Sequence, residues 1–185
     1  MLDTAFYVPE EKLHRLASNY IFQRDEEPKL IEDSQVSESS ALPGFLSGGG
    51  GLVSTAFDYL SFCRMILGNG TLGKERILSR KTVDMMSANH LRDGLYLSGL
   101  AYGPWSESAF EGVGFGLGFS VVMNPVLAQN IGSVGELAWG GMASTAFWID
   151  RQEELAVVFM TQLIPSFTFN IRRELRTLVY NAIDY

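Results

Sequence analysis

The sequence WGGMASTAFWIDRQEELAVVFMTQ, residues 139–162, decides the fold of this chain. Two apolar runs in it, 145–149 and 155–161, flank the charged turn 150–154, and this pattern predicts a β-hairpin. Each apolar strand needs a neighbour on both sides, because an unpaired strand edge exposes backbone N–H and C=O groups. The chain offers about three convincing strands, so either the sheet is small or part of it lies outside this chain.

The third of these strands is predicted upstream of the hairpin. From Gly112 to Phe119, glycines alternate with apolar residues, and the pattern continues through Val122 before Pro125 ends it. Alternation with a period of two indicates one strand over 112–122. Its glycine face leaves room for another backbone or a ligand to approach.

Two helices are predicted in the first 70 residues. The first covers about 9–21, because Pro9 suits a first turn and apolar side chains recur at helical spacing at Leu13, Leu16 and Tyr20. The second follows the N-cap Ser54 and ends at the turn 68–70. Its apolar face is formed by Ala56, Phe57, Leu60, Cys63, Ile66 and Leu67. We interpret Cys63 as a small core residue rather than a nucleophile.

Two more helices complete the pattern. One starts at the N-cap Ser79, and we expect its Met85 and Met86 to fill the core. The other starts at Ser166 and runs to about Asn181. Its buried stripe is expected at Phe169, Leu175, Leu178 and Val179. Helices first, then antiparallel strands, then a terminal helix are typical of an α+β fold.

Two segments lack such periodicity. Residues 24–46 are acidic and serine-rich, which predicts a solvated surface loop, with a loop on the substrate side as the alternative. The glycine run 48–51 lacks the strand before it and the Lys-Ser/Thr ending of a phosphate loop. We therefore expect it to let the backbone turn in cramped space before a helix.

Composition excludes several classes of function. The 185 residues carry a net charge of −7 and only four scattered lysines, which argues against nucleic acid or an anionic membrane as the main partner. No apolar run approaches the ~18 residues of a transmembrane helix, and the opening residues lack the features of a signal peptide. One cysteine and two histidines make a His/Cys metal site improbable, and we expect no cofactor. The sequence does not determine the cellular compartment.

Separated motifs in the chain resemble a known family. The runs SGGGGLVSTAFDYLSFCRMILGNG (47–70), FGLGFSVV (115–122) and WGGMASTAFWIDRQEELAVVFMTQ (139–162) resemble, in this order, the class C serine β-lactamase and penicillin-binding-protein-like superfamily. The chain is most similar to the esterase branch, and the resemblance covers nearly all of it. The resemblance implies the C-terminal part of the β-lactamase/transpeptidase-like fold, an antiparallel sheet packed by a C-terminal helix and preceded by a helical region. Residues 1–111 would be the latter part of that helical region, and residues 112–185 the sheet strands and C-terminal helix.

The family nucleophile is absent from this sequence. Catalysis in the superfamily needs Ser-x-x-Lys, Tyr-x-Asn/Ser and Lys-Thr-Gly. Three positions before the four lysines stand Pro9, Glu26, Thr71 and Leu78, so there is no Ser-x-x-Lys. The nearest approach is Ser61 with Arg64, and arginine does not act as a base near neutral pH. The runs 59–61 and 96–98 match Tyr-x-Ser in letters only, and we interpret them as coincidence.

The third motif has a counterpart. Trp139-Gly140-Gly141 stands where lactamases carry Lys-Thr-Gly, and the resemblance makes these three residues substrate-binding. Losing the lysine removes a cation that would meet a β-lactam carboxylate, which favours esters with uncharged or apolar flanks. By the same resemblance, the backbone N–H of Met142 would be one oxyanion-hole donor. The alternative interpretation of Trp139 is an ordinary core aromatic.

Three carboxylates in and near the hairpin are considered as acid–base catalysts. Glu136, Asp150 and Glu154 could be drawn as acid–base pairs, but charges in turns are usually solvated, and we expect that here.

The resemblance implies a serine hydrolase that acts on a small acyl substrate, an ester or an amide, through an acyl-enzyme. Without the nucleophile, we expect this chain alone to be inactive. The alternative is a non-catalytic module whose open sheet edge binds a second copy, as a homodimer, or a partner strand. Binding to a missing N-terminal half would instead indicate a split enzyme. A further alternative is that Met1 reflects the choice of translation start.

Overall fold

A computed structural model describes residues 1–33, 39, 41–100 and 110–183 of the chain. It confirms an α+β architecture with helices and mainly antiparallel sheets. The described residues form two compact units, one made of Met1–Phe62, Gly140–Ala146 and Val158–Phe169, the other of Cys63–Trp139, Phe147–Val157 and Asn170–Tyr185. The division at 111/112 expected from the resemblance stays a prediction. Among the described residues, no helix has both the length and the apolar character needed to span a membrane.

The regular elements alternate along the chain. The strands are β1 Asn19–Ile21, β2 Lys29–Glu32, β3 Thr71–Leu72, β4 Glu75–Arg76, β5 Val113–Phe115, β6 Ser120–Val122, β7 Leu137–Gly140, β8 Ala146–Asp150, β9 Leu155–Phe159 and β10 Leu163–Ile164. The α-helices are α1 Ala56–Leu67, α2 Arg80–Met86 and α3 Ile171–Asn181. Short 3₁₀ helices cover Glu10–Arg15, Arg92–Gly94 and Leu97–Gly99.

The first unit contains a small sheet in the order β10-β1-β2. The predicted helix over 9–21 is wrong, because a 3₁₀ helix ends at Arg15 and β1 follows it. Tyr20 donates its backbone N–H to the carbonyl of Gln162 (3.1 Å), a residue far along the chain. This pairing holds the segment extended where local spacing alone favoured a helix.

The predicted loop over 24–46 is also wrong in part. It contains β2, which pairs antiparallel with β1, opposite Asn19 and Tyr20. Positions 34–38 and 40 of that predicted loop lie outside the described residues. In the glycine run, only Gly51 is crowded, with a carbonyl 2.9 Å from where its Cβ would stand, whereas 48–50 are in open space. The expected cramped turn is therefore confined to one of the four glycines.

Helix α1 confirms the prediction but has a different cap. Thr55 Oγ1 accepts the backbone N–H of Asp58 (3.1 Å), so Thr55 is the capping side chain. The predicted cap, Ser54, instead shares a hydrogen bond with the Thr4 hydroxyl (2.8 Å). Cys63 is fully buried, as predicted for a core residue. The helix ends at a turn whose Asn69 has a φ of 52°, which agrees with the expected left-handed turn.

The larger sheet has the strand order β5-β6-β7-β8-β9. Its β8–β9 hairpin confirms the one predicted from the sequence, and all of β8 is buried. The single strand predicted over 112–122 is wrong, since β5 and β6 form an antiparallel hairpin in which Val113 pairs with Val122. Gly118, with a φ of 98°, lies in the connecting turn. Strand β7 was not predicted.

Helices α2 and α3 differ from prediction mainly in which side chains they bury. The Ser79 cap is confirmed, because its hydroxyl accepts the N–H of Thr82 (3.0 Å). Met85 is not core, with 60% of its surface exposed, since this short helix buries Val83 instead. Helix α3 starts after Asn170 rather than at Ser166, because a separate turn (Thr168 N–H to Pro165 O, 3.1 Å) comes first. Two members of its predicted stripe, Phe169 and Leu178, are exposed.

Candidate active site

The segment Trp139-Gly140-Gly141-Met142 begins at the end of β7 and continues into a tight turn before β8. In that turn the N–H of Gly141 donates to Thr145 O (3.0 Å), and the N–H of Ser144 donates to Gly141 O (3.1 Å). A Cβ on Gly141 would stand 2.5 Å from Thr145 Oγ1. The turn therefore suits glycine at this position.

Two backbone amides of this turn have no acceptor in the part of the chain that the structure describes. Among the described residues, none accepts a hydrogen bond from the N–H of Met142 or of Ala143. The Met142 residue is 57% exposed. Unpaired backbone donors on a fixed turn are what an oxyanion hole requires.

Ser144 fixes the shape of the turn. It is buried, adopts a φ of 72°, and donates its hydroxyl to Leu163 O (2.5 Å). The N–H of Leu163 in turn donates to Ala143 O (3.0 Å). These bonds tie the turn to β10, so the Met142 amide is carried by a braced loop.

Trp139 is not a core aromatic, because 43% of its surface is exposed. Its ring stacks on Phe110 (centroids 6.1 Å apart, 13° between planes). Phe115 meets it edge-on (5.1 Å, 75°). Two rings therefore hold the indole in place while leaving part of it open.

A buried polar cluster was missed by the sequence reasoning. Glu136 and Asp150 are both fully buried, so the expectation that they are solvated turn charges is wrong. The Tyr180 hydroxyl on α3 lies 2.7 Å from Glu136 Oε2 and 2.7 Å from Asp150 Oδ2. Arg176 Nη2 donates to Glu136 Oε1 (3.0 Å), as does Asn130 Nδ2 (2.9 Å). Glu154, the third carboxylate, is exposed as expected.

The surroundings of this cluster set its protonation. Burial is the largest influence on Asp150 and raises its pKa, but hydrogen bonds from Tyr180, from Ser133 and from the N–H of Glu153 outweigh it and leave the pKa lowered. Burial, followed by the charge of Glu136, raises the pKa of Tyr180 far above its usual value. Tyr180 therefore stays neutral, and its single O–H proton is shared between the two carboxylates that flank it. Tyr180 lies 44 residues from Glu136 in the sequence, so no local pattern predicts that the two side chains meet.

The three side chains that the sequence raises in connection with a nucleophile, Ser61, Ser98 and Cys63, are each hydrogen-bonded elsewhere or held protonated. Ser61 Oγ donates to Phe57 O within α1 (3.1 Å), and Ser98 Oγ donates to Glu111 Oε2 (2.5 Å). Burial raises the pKa of the Cys63 thiol to about 12, which keeps it protonated. In the part of the chain that is described, no group of three His, Cys, Asp or Glu side chains could hold a metal ion.

Comparison with known proteins identifies relatives of this chain. A family model described as Beta-lactamase matches residues 1–181. Protein Rv1367c of Mycobacterium tuberculosis (strain ATCC 25618 / H37Rv) is 34% identical over 168 residues, which cover 89% of this chain and 40% of that protein. The uncharacterized protein MT1414 of the CDC 1551 / Oshkosh strain matches equally well. The chain thus spans well under half the length of the curated relatives it matches.

Solved structures share the fold. EstCE1, described as a hydrolase with promiscuous acyltransferase activity, superposes with a TM-score of 0.75 and 25% identity over 96% of this chain and 46% of EstCE1. The unliganded selenomethionyl form of simvastatin synthase LovD from Aspergillus terreus gives a TM-score of 0.69 at 22% identity, covering 94% of this chain and 44% of LovD. The second likeness bears on the fold alone.

Proposed function

Since this chain belongs to the beta-lactamase family, whose fold its structure shares, we propose that it provides the oxyanion strand of an esterase-like serine hydrolase. In this proposal the Met142 N–H binds the carbonyl oxygen of an acyl substrate as negative charge develops on it. Trp139, Gly140 and Gly141 bind the rest of the ester or amide. The attacking serine comes from residues that the 185 do not include.

The observation that carries the proposal is the unpaired Met142 amide on a braced turn. Gly141 and Ser144 use their amides inside the turn, whereas the described residues hold no acceptor for that of Met142. The position matches the residue after the Lys-Thr-Gly counterpart, where the family resemblance expects a donor. The description of EstCE1 as a hydrolase with acyltransferase activity supports acyl chemistry for the complete enzyme.

The sequence makes a sharp prediction about the isolated chain. With no Ser-x-x-Lys, the purified chain should give an unmodified mass after treatment with a fluorophosphonate probe and should not hydrolyse p-nitrophenyl acetate above the buffer rate. A stoichiometric adduct would place a reactive serine inside these 185 residues and overturn the division of roles proposed here.

The oxyanion role is tested after complementation. The part of Rv1367c that this chain does not match is co-expressed with it, and ester hydrolysis is measured. Met142→Pro removes the amide hydrogen and should lower kcat by about 10²–10³, as for the loss of one oxyanion donor, whereas the control Met142→Ala keeps it. Equal rates for the two variants would show that the Met142 amide plays no part.

One observation favours a second candidate, a non-catalytic module that pairs with its own copy. Strand β9 ends the described order of the larger sheet, and its sequence, LAVVF, has no charge and no proline to protect an edge. Light scattering after size exclusion distinguishes the candidates, since a stable dimer of about twice 20.5 kDa supports self-association. A monomer that joins the co-expressed segment supports the hydrolase.

A further inference from the structure

We infer that the exposed part of Trp139 is a docking surface for an aromatic ring, so that the substrates of the proposed hydrolase are small esters carrying such a ring. The inference deepens the proposed function and rests on it. Three rings of the second unit carry it: Trp139 on β7, Phe115 on β5 and Phe110 just before β5. We call them the aromatic platform.

The platform holds the indole in one orientation. Phe110 lies nearly parallel to it at 6.1 Å between centroids, and Phe115 meets it edge-on at 5.1 Å, the two arrangements that ring quadrupoles favour. A ring held in this way loses little conformational freedom when a ligand stacks on it. The platform is therefore preorganised for a flat partner.

The open part of Trp139 distinguishes it from a packing residue. Trp148, one strand further in the sheet, is 1% exposed and lies under the guanidinium of Arg176 (4.8 Å). Trp139 is 43% exposed. Among the described residues, the contact between a guanidinium and a ring is the one at Trp148, and no such contact is found at Trp139. An exposed indole rimmed by phenyl rings matches an uncharged aromatic group rather than a carboxylate.

Chain geometry supports a link to the acyl carbon. Trp139 and Met142 are three residues apart, so their Cα atoms are separated by at most ~11 Å even in a fully extended chain. The ring can be on the acyl side or on the alcohol side of the ester, and the experiment distinguishes the two.

The test measures binding to the chain alone, so it does not depend on turnover. The indole N–H signals are followed by NMR, with that of Trp139 assigned by its loss in Trp139→Phe. The probes are two matched pairs: methyl phenylacetate with methyl cyclohexylacetate, and phenyl acetate with cyclohexyl acetate. We expect the aromatic member of one pair to shift the Trp139 signal saturably and to bind up to about tenfold more tightly than its saturated partner, the upper end of an aromatic pair contribution.

Variants locate the effect. Trp139→Leu should abolish the aromatic preference, and Phe110→Leu should reduce it by freeing the indole. Phe57→Leu, at a ring 78% exposed on α1, is the matched control and should leave the preference unchanged. Equal affinity within both pairs, or a preference that survives Trp139→Leu, would overturn the inference.

Failure of the platform is distinguishable from failure of the proposed function. If the complemented enzyme hydrolyses alkyl acetates but the chain shows no aromatic preference, the platform is wrong and the hydrolase stands. If the aromatic preference is present but complementation with the Rv1367c segment gives neither a probe adduct nor hydrolysis, the hydrolase is wrong and the platform remains as a binding surface.

Discussion

Replacing Tyr180 by phenylalanine tests the buried cluster that joins α3 to the larger sheet. The substitution removes one oxygen that lies 2.7 Å from each of two fully buried carboxylates. Asp150 keeps the hydrogen bonds from the backbone N–H groups of Ser133, Gln152 and Glu153, so its charge remains stabilised. Glu136 keeps two donors on Oε1, but its Oε2 loses the only hydrogen bond the described residues provide. The damage is therefore concentrated on Glu136.

The magnitude follows from these contacts. A hydrogen bond to a charged group contributes about 1.5–3 kcal/mol, and leaving a buried charged acceptor unpaired costs at least as much. We expect Tyr180→Phe to lower the free energy of unfolding by about 2–4 kcal/mol. For a chain of this size, that corresponds to a fall of about 4–16 °C in Tm. Urea unfolding followed by circular dichroism measures the difference directly.

The pH dependence isolates the contribution of Asp150 to this effect. Because the pKa of Asp150 is lower in the folded chain than its unfolded value of about 3.9, its contribution to stability is complete above that pH and is lost as the pH falls through the folded pKa. The part of the Tyr180→Phe effect that comes from Asp150 should therefore be present at pH 7 and shrink below pH 4.

The matched control is Tyr20→Phe, at a tyrosine 40% exposed on β1, which should change stability by less than about 0.5 kcal/mol. A loss for Tyr180→Phe no larger than that of the control would refute the cluster as a stabilising element.

The remaining predictions concern local structure. Burial raises the pKa of the Cys63 thiol to about 12, so it should not react with DTNB at pH 8 in the folded chain and should react fully in urea. Rapid labelling without denaturant would contradict its burial. In thermal melts, Ser79→Ala should destabilise the chain by about 0.5–2 kcal/mol and Ser79→Asp by much less, because aspartate still accepts the N–H of Thr82. Equal losses for the two variants would argue against a capping role. Gly70→Ala should cost more than Gly118→Ala in the same melts: both have positive φ, but a Cβ at Gly70 would also stand 2.2 Å from a carbonyl oxygen, whereas Gly118 faces open space. A larger loss for Gly118→Ala than for Gly70→Ala would show that the backbone around Gly70 moves to make room for a Cβ.

Local patterns predicted the elements whose signals are complete within a few residues. The β8–β9 hairpin was placed to within two residues, because apolar runs on both sides of a charged turn satisfy a strand pair by themselves. The Ser79 cap was predicted correctly for the same reason, since a cap involves residues three positions apart. The 112–122 segment shows the limit of this reasoning: its alternation is real, but the turn at Gly118 divides it into two strands.

Burial was the least predictable property. Phe169 and Leu178 are apolar at helical spacing, and both are exposed. Glu136 and Asp150 are charged and close to turns, and both are fully buried. Periodicity tells which side chains share a face of an element, but the surface that this face meets belongs to other parts of the chain.

The sequence by itself determined the family of this protein, its α+β class, the central hairpin and the absence of a Ser-x-x-Lys nucleophile, because each of these is written in residues that are adjacent or in fixed order. Only the tertiary structure decided that 19–21 is a strand, that no described residue accepts the Met142 amide, and that Tyr180 joins Glu136 to Asp150. The physical reason is that a hydrogen bond depends on distances of about 3 Å between atoms, and residues far apart in sequence reach such distances only when the whole chain has packed.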